Sequence, residues 1–428
     1  MFEYEKFTLN NGIKVLLAPL KTTRIVSVNV LVKTGSRYER KNNNGITHFI
    51  EHLLFKGTDR RTDALVISKE IDNMGADMNG STGQEYSHFY VKLLDEHFEK
   101  AVDILSDILS CSKFEQKHIE TERTAILEEI KMRKDHPSIY VWEIFNRLLY
   151  GDQPLGFDIA GNERVLNKIS RSEMFEHFRE SFIGSNIIIS LAGNIDVKSA
   201  LGLVNRYFGG FESGCSAEFL PVHESQTSQA VELRYQKTEQ THLCIGNRAY
   251  NYEHPDYYAL ALMNLIVGGN MSSRLFTILR EEKGLVYSVG ALNQSFFDTG
   301  NFVVHAGAGH GNIEETIRII LGEFRKLKGE DVKTEELERA KNAVTGYLYM
   351  SLDSSSGIAG YIGGQELRLG RILTPEERLG LIKKVTAQDI RRVANDILKD
   401  ETLNLALIGP FKDKEKFEKM LTTRTVNT

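Results

Sequence analysis

Two pairs of segments far apart in this chain are alike, and that likeness narrows the possible folds more than any single motif. Asn186-Ile-Ile-Ile-Ser-Leu-Ala-Gly193 and Leu403-Asn-Leu-Ala-Leu-Ile-Gly409 both read as buried strands, and each follows a helical stretch, Ser172 to Ser181 and Ala387 to Leu398 respectively. His88-Phe-Tyr-Val91 before a helix at Glu96 is matched by Asn301-Phe-Val-Val304 before a helix at Asn312. The interval far exceeds a solenoid repeat, so it indicates a duplicated domain, and 428 residues are enough for two. Residues 209–229, rich in Gly, Ser and Glu, form the linker candidate, which divides the chain into domains over 1–215 and 216–428.

Within the first half the hydrophobic period changes in a definite order. Strand-like runs over Phe7 to Leu9 and Ile13 to Leu17 flank the turn Asn10-Asn11-Gly12, and Ile25 to Val32 alternates with period two. After Gly45 the period becomes helical through Ile46, Phe49, Ile50, Leu53 and Leu54, with Gly57 as a stop. A short helix over 63–74, a hairpin over Asp77 to Leu94 and helices over Glu96 to Cys111, Glu115 to Arg133 and Ile139 to Tyr150 follow. The expected class is α+β, with two similar domains, each a mostly antiparallel sheet packed with helices.

Composition removes several functions. With 53 Lys plus Arg against 58 Asp plus Glu, the net charge of −5 offers no positive field for a phosphate backbone, so nucleic acid is a poor partner. Three scattered cysteines, Cys111, Cys215 and Cys244, suit a reducing compartment better than a disulfide framework. The first residues lack a basic segment followed by an apolar core, and no stretch approaches the roughly 18 apolar residues that span a bilayer. The expectation is a soluble cytoplasmic protein without a membrane partner.

The segment with chemical content is Thr47-His48-Phe49-Ile50-Glu51-His52-Leu53. At 100° per residue, His48, Glu51 and His52 share one side of a helix while Ile46, Phe49, Ile50, Leu53 and Leu54 take the other. Imidazoles one turn apart can bind one zinc ion, and the carboxylate between them can act as general base toward water. A third ligand has to come from elsewhere. On the helix over Glu115 to Arg133, Glu122 and Glu129 border the apolar stripe Ile119, Ile126 and Ile130 at nearly the same angle, whereas Glu128 points away. Glu129 is favoured as ligand, with Glu122 as an outer carboxylate able to orient a histidine. The competing reading of all these residues is a solvated helix face.

His48-x-x-Glu51-His52, the long interval to Glu129 and Glu122 two turns before it resemble the pitrilysin-type inverzincin peptidases, the family of insulin-degrading enzyme and the mitochondrial processing peptidase. Asn79-Gly80-Ser81-Thr82 followed by Glu85 is similar to that family's substrate-binding edge strand, and Arg280-Glu-Glu-Lys-Gly-Leu-Val-Tyr287 to its Arg and Tyr pair. The resemblance covers nearly the whole chain. It implies two homologous α+β domains enclosing a peptide chamber, and one Zn2+ per chain on His48, His52 and Glu129. It also implies Glu51 as base, Arg280 and Tyr287 as donors to the reacting carbonyl, Glu122 behind a ligand, and peptide backbone along Asn79, Gly80, Ser81 and Thr82. A zinc metalloendopeptidase acting on peptides as a homodimer follows from it. The alternative is a non-catalytic structural or regulatory subunit of the same fold. The second half has no metal motif near Tyr258 to Ile266, and Thr345 stands where Glu129 would. His88, His136, His305 and His310 read as packing or surface residues. Gly357-Ile-Ala-Gly360-Tyr-Ile-Gly363-Gly364 reads as a glycine-rich loop facing the metal site or a connector between helices.

Overall fold

The computed structural model describes residues 2–216 and 218–422. They form two compact units. One comprises the chain up to Ile130, Phe157–Leu220 and Leu348–Ile372; the other comprises Lys131–Gly156, Pro221–Tyr347 and the chain from Leu373 onward. These units differ from the linear division at 215/216, because residues 131–156 pack in the second unit and residues 348–372 in the first.

The first unit holds a six-stranded sheet built from β1 (Glu5–Thr8), β2 (Lys14–Pro19), β3 (Ile25–Val32), β4 (Asp77–Thr82), β5 (Ser87–Leu94) and β6 (Ile187–Gly193), in the order β1-β2-β6-β3-β5-β4. Only β2 and β6 run parallel. The Ile-rich β6 is buried throughout its length, as a central strand covered on both faces must be. On one face Val15, Val28, Val30, Phe89, Val91 and Ile189 meet Phe49, Ile50 and Leu53 of the helix Ile46–Leu54 and Val102, Leu105 and Ile108 of the helix Phe98–Cys111. Each of these fully buried side chains contributes about 1.5–3 kcal/mol, so the motif helix is held by its apolar side and has its polar side to spare.

The opposite face of β6 and β3 is covered by the helix Ser355–Leu369. This is a correction to the loop or connector expected at Gly357 to Gly364, which is helical throughout. The glycines serve close packing: a Cβ on Gly363 would lie 2.4 Å from Ser190 Oγ, and that hydroxyl donates to the Ala359 carbonyl at 2.9 Å. Gly363→Ala should therefore destabilise the first unit by about 1–3 kcal/mol through overpacking, read as a lower unfolding temperature. An unchanged temperature would refute the close approach. Glu366 on the same helix is fully buried and accepts from Lys6 Nζ and Lys14 Nζ at 2.8 and 2.7 Å, tying the helix to β1 and β2.

The second unit repeats the plan. Its sheet comprises β7 (Ala230–Tyr235), β8 (Thr241–Ala249), β9 (Val286–Ser295), β10 (Gly300–Ala308) and β11 (Asn404–Gly409), ordered β7-β11-β8-β10-β9. That order reproduces β2-β6-β3-β5-β4, including the single parallel pair, here β7 with β11. The two pairs of like segments thus fall on equivalent strands, β6 with β11 and β5 with β10. The helix Pro137–Tyr150 lies on this sheet, with Tyr140, Ile144 and Phe145 packed among Cys244, Val303, Ala406 and Ile408. Residues 212–216 and 218–229 carry neither helix nor strand. Among the described residues no helix is long and apolar enough to cross a membrane.

Candidate metal centre

The motif helix Ile46–Leu54 starts at Gly45, whose φ of 97° lies in the left-handed region that glycine adopts without penalty. A side chain there would also strike the Ala160 carbonyl oxygen at 2.8 Å. No cap comes from Gly45 itself. Instead the buried Glu39 accepts from the backbone N–H groups of Gly45 and Thr47 at 2.7 and 2.9 Å, placing an acid at the positive end of the helix. Burial pushes the Glu39 carboxyl up, and these hydrogen bonds oppose the shift. The Thr47 hydroxyl lies 3.0 Å from His177 Nε2, and burial pushes His177 down to about 4, so that imidazole is neutral at pH 7.

His48, Glu51 and His52 face the helix Gln116–Asp135, which buries Ile119, Ile126 and Ile130 and carries both expected glutamates. His48 Nε2 and His52 Nε2 lie 3.7 and 3.8 Å from the same Glu129 oxygen, and one ligand atom from each of the three residues lies within 4.8 Å of the others. The donor set fits zinc. Two imidazole nitrogens and a carboxylate oxygen around a tetrahedral ion with bonds near 2.0–2.2 Å stand about 3.3 Å apart, so small side-chain adjustments close the site. Among the described residues this is the one such group, and it has no counterpart in the second unit. There the helix Tyr257–Val267 carries neither histidine nor glutamate, and the Thr345 hydroxyl merely bonds the Lys341 carbonyl within its own helix.

Glu122 is buried two turns before Glu129, and its Oε2 accepts from His52 Nδ1 at 3.1 Å. A carboxylate only accepts, so Nδ1 carries the proton and Nε2 presents its lone pair. The other Glu122 oxygen receives Lys56 Nζ at 2.7 Å. Glu128 is exposed, as its angle required. Lys56 and Glu39 were not among the sequence candidates. Lys56 follows His52 by one helical turn, which was legible, but its partner on another helix was not.

Glu51 sits beside the cluster, with Oε2 accepting from the Thr82 hydroxyl at 3.0 Å. Burial pushes its carboxyl above the usual range and the neighbouring Glu129 adds to this, while His52 and the Thr82 hydrogen bond pull it back. A base tuned upward in this way is better matched to proton transfer near neutral pH. Thr82 ends β4, the edge strand of the sheet, so Asn79, Gly80, Ser81 and Thr82 lie on a strand whose only partner in the sheet is β5. Gly80 has no room for a side chain, since a Cβ would meet the rings of Phe89 and Phe55 at 3.0 and 3.1 Å. Glu85 lies in the turn directly after β4. It is buried and accepts from the buried Arg37, whose guanidinium lies 3.9 Å from the Phe219 ring centre.

Arg280 and Tyr287 belong to the second unit and lie together. Arg280 sits in a π-helical stretch, Phe276–Glu282, a rare conformation often found at functional sites. Its guanidinium donates to the Tyr287 carbonyl and lies 5.4 Å from the Tyr287 ring centre. Tyr287 is 70% exposed on the edge strand β9, the equivalent of β4. His88 stacks on Tyr90, His305 lies against Trp142 with the rings tilted by 53°, and His310 bonds Thr241 and the Thr238 carbonyl.

Duplicated sheets of this order with one inverted His-x-x-Glu-His centre define a class of metallopeptidase architecture. Residues 14–163 match the model of the insulinase family, peptidase family M16, and residues 168–344 match the peptidase M16 inactive domain. The chain belongs to peptidase family M16, as a short two-domain member. It is 34% identical to "Uncharacterized zinc protease YmxG" of Bacillus subtilis over 95% of this chain and 98% of that protein. It is 32% identical to the mitochondrial-processing peptidase subunit beta of Dictyostelium discoideum over 94% of this chain and 88% of that one. Among solved structures, a protease from Helicobacter pylori superposes with a TM-score of 0.90 at 21% identity, covering 96% of this chain and all of that one. A chain of complex III2 from Candida albicans reaches 0.83 at 16% identity, covering 97% of this chain and 99% of that one, and shares the same fold.

Proposed function

We propose that the protein is a zinc-dependent endopeptidase that hydrolyses unstructured peptides within a chamber. The observation that carries this reading is the convergence of His48, His52 and Glu129 beside a half-buried Glu51 that is itself bonded to the edge strand. His48, His52 and Glu129 would hold the ion. Zinc supplies a Lewis acid for a carbonyl oxygen and lowers the pKa of water. Glu51 takes the proton from the attacking water on its free carboxylate oxygen and later delivers it to the departing amine. Substrate backbone adds as a strand along β4, where main-chain hydrogen bonds tolerate many sequences.

Arg280 and Tyr287 are proposed as donors to the oxyanion on the strength of the family resemblance. Tyr287→Phe should lower kcat about a hundredfold, as removal of one such donor does, with little change in KM. A parent kcat would remove Tyr287 from the chemistry. The protein is further proposed to act as a homodimer in the cytoplasm, where its three unpaired cysteines would remain reduced.

Elemental analysis combined with cleavage of a quenched peptide, with and without chelator, tests the reading. One zinc per chain and chelator-sensitive cleavage are expected, with stable folded domains left uncut. Bound zinc without turnover on any unstructured peptide would favour a non-catalytic subunit instead.

A further inference from the structure

We propose that Lys56 is a positioning residue of the metal centre, acting through Glu122 to hold His52 with Nε2 directed at the ion. The inference deepens the zinc reading above and rests on it. Lys56 lies just beyond the C-terminus of the motif helix, where a cation is favoured by the helix dipole, and its N–H still bonds the Leu53 carbonyl at 3.0 Å. Its ammonium meets Glu122 Oε1 at 2.7 Å while His52 Nδ1 meets Oε2 at 3.1 Å. One carboxylate is therefore pinned at both oxygens by groups one helical turn apart on the other segment.

An ion pair at a solvated surface would be worth little, because water screens it and both side chains lose freedom. This one differs because the Glu122 side chain is only 9% exposed. Without the ammonium, the carboxylate can rotate about its own torsions, and either oxygen or neither can face His52. With Oε1 occupied, Oε2 is the oxygen left for Nδ1–H, which sets the tautomer and the ring plane. Nε2 then faces the Glu129 oxygen 3.8 Å away, where the ion is expected. Lys56 touches neither the ion nor the substrate in this scheme.

The test uses the full chain and reads zinc affinity by competition with a chromophoric chelator. Lys56→Met, which keeps the stem and removes the charge, should weaken zinc binding about 10-fold, within the range found when an outer partner of a ligand is lost. Lys56→Arg should restore most of the affinity, and the unfolding temperature of the zinc-free protein should change little in either variant. In the Glu122→Gln background, Lys56→Met should cause no further loss. Parent affinity in Lys56→Met, or a full further loss in the double variant, would overturn the proposal while leaving the zinc reading intact. A parent protein that binds no zinc would overturn both. Cobalt substitution gives a second measurement: the absorption bands of the Lys56→Met protein should shift from those of the parent, and identical spectra count against the role.

Discussion

Glu51→Gln is expected to lower kcat on an unstructured peptide by roughly 10²–10⁴-fold while the protein keeps its zinc. The amide has the shape of the carboxylate, and its oxygen can still accept from the Thr82 hydroxyl, so the site should survive the change. What it cannot do is take a proton from water. The zinc content of the variant separates two roles. If the ion is lost together with activity, Glu51 is a ligand and the assignment of His48, His52 and Glu129 is incomplete. Cleavage at the parent rate would mean that the base is another group.

The second large effect concerns stability. The loop after the motif helix is anchored by Arg61, whose side chain is 3% exposed and donates to Asp107 and Asp103 at 2.6 Å each and to Glu70 at 2.8 Å. Thr58 Oγ1 also donates to Asp107, whose side chain is fully buried. Arg61→Met removes the charge and leaves buried carboxylates underpaired, so the first unit should lose about 3–5 kcal/mol. Burial works against the Asp103 charge, but hydrogen bonds from Arg61 and Arg60 outweigh it and hold the carboxyl below its usual range; Glu70 is held down in the same way by Arg61 and Lys100. A carboxyl depressed by folding stabilises the protein above its unfolded pKa of about 4 and loses that contribution as pH falls through the folded value. The gap between parent and variant should be widest near pH 7 and narrow in acid. Unfolding temperatures measured across that range check both statements, and equal temperatures at pH 7 would show that the network adds nothing.

Much of the site was legible because its first half is local. A helix with His48, Glu51 and His52 on one side follows from spacing alone, and so does the division of Glu122 and Glu129 from Glu128 on a second helix. That these two helices face one another rested on the need of a zinc site for a third ligand and on the resemblance, since nothing in either segment states its neighbour. Glu85 shows the limit. It follows the edge strand closely in sequence, yet it turns inward to Arg37, because a buried guanidinium needs a carboxylate more than the strand edge needs a charge. Gly357 to Gly364 shows another. Glycines usually mark loops, but here they let a helix lie against Ser190 and Leu31.

Local periodicity was enough to establish the strands of the first half and the motif helix, since a period is set by residues within a few positions of one another, and the likeness of two pairs of segments indicated a duplication. The order of strands in each sheet was set by pairing between distant residues. The folded chain alone decided that the helix Pro137–Tyr150 joins the second sheet and the helix Ser355–Leu369 the first. An amphipathic helix specifies that its apolar side must be covered, not by which sheet. That choice, like the meeting of Lys56 with Glu122, depends on contacts between distant residues that form together on folding.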